Sequence, residues 1–155
     1  MKINGSSIVE APQDVVWRSL LDTEILASVL PGCERLEEVG PGKYEGVLKT
    51  KVGPVQGTFD CKIGLQDIDE PRSCSMQIEG QGPAGTIDAT AHVSLEPEGD
   101  FTKLSYVSDA TVCGRVACVG QRLMDAAAKA ITKRGLSAFN EIVKARLAIG
   151  EAHLS

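Results

Sequence analysis

Few of the 155 residues are of a type that makes or breaks bonds, and those few are poorly spaced for it. Gly80-Gln81-Gly82-Pro83-Ala84-Gly85 matches the G-x-G-x-x-G spacing that lets a backbone approach a pyrophosphate. That fingerprint needs a helix directly after it, with the helix N-terminus on the phosphates, and a period-two run follows instead. The segment reads as a wide turn between strands. Cys113 and Cys118 fall where the last helix is expected to begin, and a helix N-terminus can depress a thiol pKa. Neither has a His nearby, so small hydrophobes are a better reading of them than a redox pair. Cys33, Cys61 and Cys74 lack a second His at zinc spacing; His92 alternates with apolar residues onto a polar face, and His153 sits in the tail. Asp60, Asp88 and Asp109 could be cross-strand neighbours, and paired carboxylates are the raw material of acid–base catalysis. All three stand opposite apolar positions and are expected to face solvent. With two His in the chain, no Ser-His-Asp or Cys-His set can be assembled. No catalytic residue, metal site or cofactor is expected.

The elements that would position a site are clearer. Residues 2 to 10 alternate loosely and end at Ala11-Pro12, a strand followed by proline at a helix start, with a short helix over 13 to 21. Asp22-Thr23-Glu24 caps a second short helix that carries Leu26, Val29 and Leu30 and stops at Pro31-Gly32. From 33 to 113 the period is two, clearest where Ile87, Ala89, Ala91, Val93 and Leu95 alternate with Asp88, Thr90, His92, Ser94 and Glu96. Turn signals at Pro41-Gly42, Gly53-Pro54, Glu70-Pro71, Gly82-Pro83 and Glu98-Gly99-Asp100 divide this stretch into about six strands of an antiparallel meander. Residues 116 to 149 return to helical spacing, with a kink or break expected at Gly135. The fold class is α+β: a curved antiparallel sheet wrapped around a long C-terminal helix, with two short helices after the first strand.

Composition narrows the partners. Hydrophobic residues make up 43% and charged residues 24%, within the globular range, and one domain spanning 1 to 155 is expected. No apolar run is long enough to span a bilayer and no signal-peptide h-region opens the chain. Five cysteines, an odd number, fit reduced thiols better than a disulfide framework, so a cytoplasmic location is expected. The net charge of −5 argues against nucleic acid. Residues 1 to 114 carry −9 and residues 115 to 149 carry +5, so the last helix is a basic element on an acidic body. Its charge either complements the body and faces solvent, or docks on an anionic lipid surface or acidic partner.

Residues expected to face one another across the interior are small: Ala89, Ala91, Ser108 and Ala110 from the strands, and Gly120, Ala126, Ala127, Ala128 and Ala130 from the helix. Small side chains permit either close approach of the two layers or a gap between them. A long sheet bent around one helix tends to stay open at one end, which favours a cavity.

Several segments resemble the CoxG family of carbon monoxide dehydrogenase subunits, within the START-like (SRPBCC) superfamily. The resemblance runs over about residues 2 to 142. Its most specific parts are Leu30-Pro31-Gly32-Cys33-Glu34 and Gly120-Gln121-Arg122-Leu123; Lys51-Val52-Gly53-Pro54-Val55, Gly80-Gln81-Gly82 and Gly114-Arg115-Val116-Ala117 add to it. The resemblance implies a helix-grip fold with a deep hydrophobic pocket, and an accessory role beside a molybdenum hydroxylase through membrane recruitment or handling of a lipophilic quinone. Family members often continue into a hydrophobic tail, and none is expected here. At most a transient contact of its basic helix with the inner membrane face is therefore expected.

The first functional expectation is a noncatalytic carrier of an apolar molecule, such as a quinone or lipid, serving a molybdenum-containing oxidoreductase. Its pocket would be lined by Phe59, Cys61, Ile63, Met76, Ile78, Ile87, Ala89, Ala91, Tyr106, Ala110, Leu123, Ala127 and Ile131. Leu26, Leu30 and Pro31 would flank the entrance, and Tyr106 would donate to a carbonyl head group. The alternative is a ligand-free protein-interaction or membrane-recruitment module that uses Lys129, Lys133 and Arg134. Catalysis is the weakest reading, because the expected lining offers only Tyr106, Ser108 and thiols.

Overall fold

The structure is a computed structural model that describes residues 1–30 and 32–149 with their side chains, and the helical backbone as far as Leu154. Strand β1 (Lys2–Val9) is followed by helices α1 (Gln13–Leu20) and α2 (Thr23–Val29). The chain then forms β2 (Cys33–Gly40), β3 (Lys43–Val52), β4 (Val55–Asp69), β5 (Ser73–Gly82), β6 (Gly85–Glu98) and β7 (Phe101–Cys113). A 3₁₀ turn (Arg115–Val119) leads into α3 (Gln121–Leu154).

All seven strands join one antiparallel sheet in the order β1-β7-β6-β5-β4-β3-β2. Only β1 is out of sequence, closing the sheet beside the last strand. Directly opposed residues share a face, so the register reads off the interior. One row runs Ile3–Ser108–Ala91–Met76–Leu65, and the next carries Ala110, Ala89, Ile78, Ile63 and Tyr44. The strand connections are tight. Gly82 pairs with Gly85, so the Gly80–Gly85 segment is a two-residue hairpin around Pro83-Ala84 and not the wide turn expected from sequence.

The last helix also differs from expectation in two places. The helical spacing read from residue 116 is a 3₁₀ turn as far as Val119, and Gly120, at φ +98°, redirects the chain into α3. L side chains rarely adopt that φ. Gly135 neither kinks nor breaks α3, which runs through it. A Cβ at Gly135 would lie 3.4 Å from the Val29 carbonyl oxygen, so the glycine lets α2 cross close over α3.

The two ends of the fold are packed unequally. Val9, Val16, Trp17, Ile25, Leu95 and Leu104 close around Phe139 and Val143, which are 4% and 0% exposed. This is the main core, and it engages only the C-terminal half of α3. Polar contacts fasten the same half. Lys144 Nζ lies 3.0 Å from Glu10 Oε2, Asn140 Nδ2 donates to that oxygen at 3.0 Å, and Arg146 Nη1 donates to Asp22 Oδ2 at 2.9 Å. Asp22 caps α2 by accepting from the Ile25 N–H at 3.2 Å. In the N-terminal half, Met124, Ala127, Ala128, Ile131 and Thr132 are only half-buried. The helix approaches the sheet closely at β1 and β3, so it bridges the concave face like a strut.

Candidate functional site

Beneath the strut lies an apolar cleft of about 230 Å³. From the sheet it is walled by Ile3 of β1, Ser108, Ala110 and Val112 of β7, Ile87 of β6, and Thr50 and Val52 of β3. Val116 and, from α3, Met124, Ala127, Ala128, Ile131 and Thr132 complete it, with Met1 at one corner. Its origin is the small-residue pairing. Ser108 and Ala110 face Ala127 and Ala128, and none of them can reach across the gap that Phe139, Leu95 and Leu104 fill at the other end. The layers are therefore joined by large side chains at one end and gape between small ones at the other.

The sequence-derived lining residues fall into three groups. Ile87, Ala110, Ala127 and Ile131 line the cleft. Ala89, Ala91, Ile78 and Met76 share the concave face in the rows beside it, and Met76 packs onto the main core. Phe59 and Cys61 are corrections: with Ala84 they form a separate small buried cluster that the cleft does not reach. Ile63, 7% exposed between Tyr44 and Ile78, is likewise core. Leu123 is 38% exposed and sits on Gly53 at the β3–β4 turn, outside the lining. Leu26 and Leu30 are half-buried and do not line the cleft, and Pro31 lies outside the described residues.

Tyr106 is a further correction. Its ring covers Gly5, where a Cβ would lie 2.6 Å from the phenol oxygen, so the hydroxyl faces the β1 edge and does not enter the cleft. There it borders a second hollow of about 390 Å³, lined by Lys2, Ile3, Asn4, Tyr106, Lys129, Thr132 and Lys133. This groove and the cleft share Ile3 and Thr132 in their linings. Sequence reasoning missed Met124 and Thr132 and set Ala128 facing the sheet without assigning it to the lining, although the 124, 127, 128, 131 spacing marks one helix face. Thr50 was legible too, in alternation with Tyr44, Gly46 and Leu48.

The chemistry available in the cleft is slight. Its polar groups are the hydroxyls of Thr50, Ser108 and Thr132, and Thr132 Oγ1 already donates to the Ala128 carbonyl at 2.8 Å. Burial pushes the thiols of Cys61 and Cys74 up, disfavouring the nucleophilic thiolate. Cys113 and Cys118 are exposed. Asp60, Asp88 and Asp109 face solvent, and His92 Nδ1 lies 3.1 Å from Ser75 Oγ on the convex face. Among the described residues no group of three His, Cys, Asp or Glu is placed to hold a metal.

What the arrangement can do is enclose an apolar group. The cleft is about half as large again as the ~150 Å³ engineered cavity that takes benzene. At ~30 Å³ each it holds about eight methylene-sized groups. Burying them at ~0.8 kcal/mol apiece yields about 6 kcal/mol, comparable with the ~4–15 kcal/mol cost of association. A ligand confined to the cleft binds weakly, and one that extends out of it gains affinity.

A curved antiparallel sheet gripping a long C-terminal helix, with an apolar cleft between them, is the START-like helix-grip architecture. A START superfamily protein from Mycobacterium smegmatis matches with TM-score 0.69 at 16% identity, covering 92% of this chain and 97% of that one. The Zhui aromatase/cyclase from Streptomyces sp. R1128 matches with TM-score 0.72 at 18% identity, covering 95% of each chain. Within that class, the chain belongs to the CoxG family of carbon monoxide dehydrogenase subunits, whose model matches residues 5–144. A conserved protein from Geobacillus kaustophilus has TM-score 0.88 at 30% identity, covering 93% of this chain and 95% of that one. No curated protein matches the chain. Family and fold together support a ligand-binding accessory role. Among the described residues no helix is long and apolar enough to cross a membrane.

Proposed function

We propose that the whole chain works as one noncatalytic carrier of an apolar small molecule, a quinone or another lipid, in support of a molybdenum hydroxylase such as carbon monoxide dehydrogenase. The observation that carries this is the apolar cleft held open between Ala110 and Ala127–Ala128. The family's name supplies the partner. Among the described residues no titratable side chain lines the cleft, which favours carriage over catalysis, since acid–base work needs a proton-transferring group within reach of the substrate. The protein would act in the cytoplasm, peripherally at the inner membrane face when it loads or unloads.

Native mass spectrometry of protein purified from its own host tests the proposal. A bound lipophile, or an adduct after addition of a short-chain quinone, is expected. A bare mass under both conditions would refute it. The second reading, a protein-interaction or membrane-recruitment module, is favoured by Lys129, Lys133 and Arg134, all exposed on α3. Reversing these three charges abolishes co-purification with the oxidoreductase on the second reading and leaves it intact on the first.

A further inference from the structure

We infer that the molecule held in the cleft is an amphiphile with an anionic head, a carboxylate or phosphate on a single apolar chain, and that Lys2, Lys129 and Lys133 receive the head. This rests on the cleft being a ligand site and, of the ligands proposed above, selects an anionic lipid over a quinone. The two hollows adjoin: Ile3 and Thr132 line both, so a chain lying along Ala128 and Ile131 ends beside the groove.

The groove's charge is one-sided. Lys129 and Lys133 are four residues apart on one helix face, a like-charge spacing that weakens a helix. Lys2 joins them from the edge strand. Elsewhere on α3, Lys144 pairs with Glu10 and Arg146 with Asp22 and Glu24, while Arg122 and Arg134, like the groove lysines, form no ion pair among the described residues. None of the three groove lysines forms an ion pair among the described residues. Asp109, across from Lys2, lies 3.7 Å from the terminal ammonium of Met1 and is not among the groove's lining residues. The Tyr106 hydroxyl and Asn4 carboxamide border the same space as further hydrogen-bond donors. Three ammonium groups beside an apolar slot with room for about eight methylenes match a charged head on a medium-length chain, whereas a neutral head would leave them uncompensated.

Chain-matched probes test this: decanoate, decyl phosphate and 1-decanol, titrated calorimetrically at low ionic strength into the wild type and Lys129→Gln/Lys133→Gln. Both lysines are exposed and glutamine is a good helix former, so the variant retains its fold, which its melting temperature verifies. In the wild type the anions bind at least tenfold tighter than decanol, and the gap narrows as salt is raised. In the variant the gap closes while decanol affinity is unchanged. Whichever anion binds tighter tells a fatty carboxylate from a phosphate head group. Equal binding of anions and alcohol, or a preference that survives in the variant, overturns the anionic head and leaves the cleft reading standing. If none of the three binds, the cleft reading fails and the inference falls with it.

Discussion

Replacing Ala127 with leucine puts three additional carbons into the space between α3 and β7. At ~30 Å³ per carbon they take up about 90 Å³, well over a third of the 230 Å³ cleft. Two consequences follow with opposite signs. A ligand loses burial of about three methylene groups, roughly 2.4 kcal/mol at ~0.8 each, which is about a fiftyfold loss of affinity. The protein itself gains apolar contact where there was none, so its stability rises by about 1 kcal/mol, or ~2–4 °C in Tm at this chain length. Calorimetric melting and titration with 1-decanol or a short-chain quinone measure both in one preparation. In a filled core the same substitution overpacks and costs about 1–3 kcal/mol. A lower Tm with unchanged ligand affinity would therefore refute the reasoning, because it would mean that helix and sheet already touch at Ala127.

The fold's other features yield separate tests. Phe139→Ala should cost about 3–5 kcal/mol, because that ring is 4% exposed at the centre of the packed end, whereas Ile131→Ala over the cleft should cost under about 2 kcal/mol; urea midpoints compare them. Thr102→Val removes a buried hydroxyl that donates to the Ala11 carbonyl at 2.8 Å, and about 1–3 kcal/mol should be lost in the same assay. The carboxyl of Glu10 is held below its ordinary value of 4.5 by the Lys144 and Asn140 bonds; that of Asp22, which burial pushes up, is held net below 3.8 by the Ile25 N–H and Arg146. Both folded-state values lie below the unfolded ones, so the stability they contribute is full above the unfolded range and drains as pH falls below about 4.5. Between pH 6 and pH 3 the urea midpoint of the wild type should fall further than that of Glu10→Gln/Asp22→Asn, and equal falls would sink the assignment.

The amino-acid sequence by itself determined the order of elements, because period and punctuation are local. The switch from alternation to helical spacing, Asp22 before Ile25, and the hairpin glycines and prolines act over a few residues whatever the rest of the chain does. It also determined that Ala110 and Ala127 are too small to fill space, and hence that a gap was available. Which end of the fold would gape was a tertiary matter. The decision lay in the register that sets Ser108 and Ala110 under Ala127 and Ala128, in the placing of Phe139 and Val143 over Leu95 and Leu104, and in Gly135 letting α2 clamp α3 from above. Alternation puts Phe59 and Ile87 on the same face of the sheet without saying which of them the helix covers, so Phe59 was misplaced and Ile87 was not. The groove joins Lys2 to Lys129 and Lys133 only through tertiary structure, since Lys2 is more than a hundred residues from the other two until β1 closes the sheet beside β7.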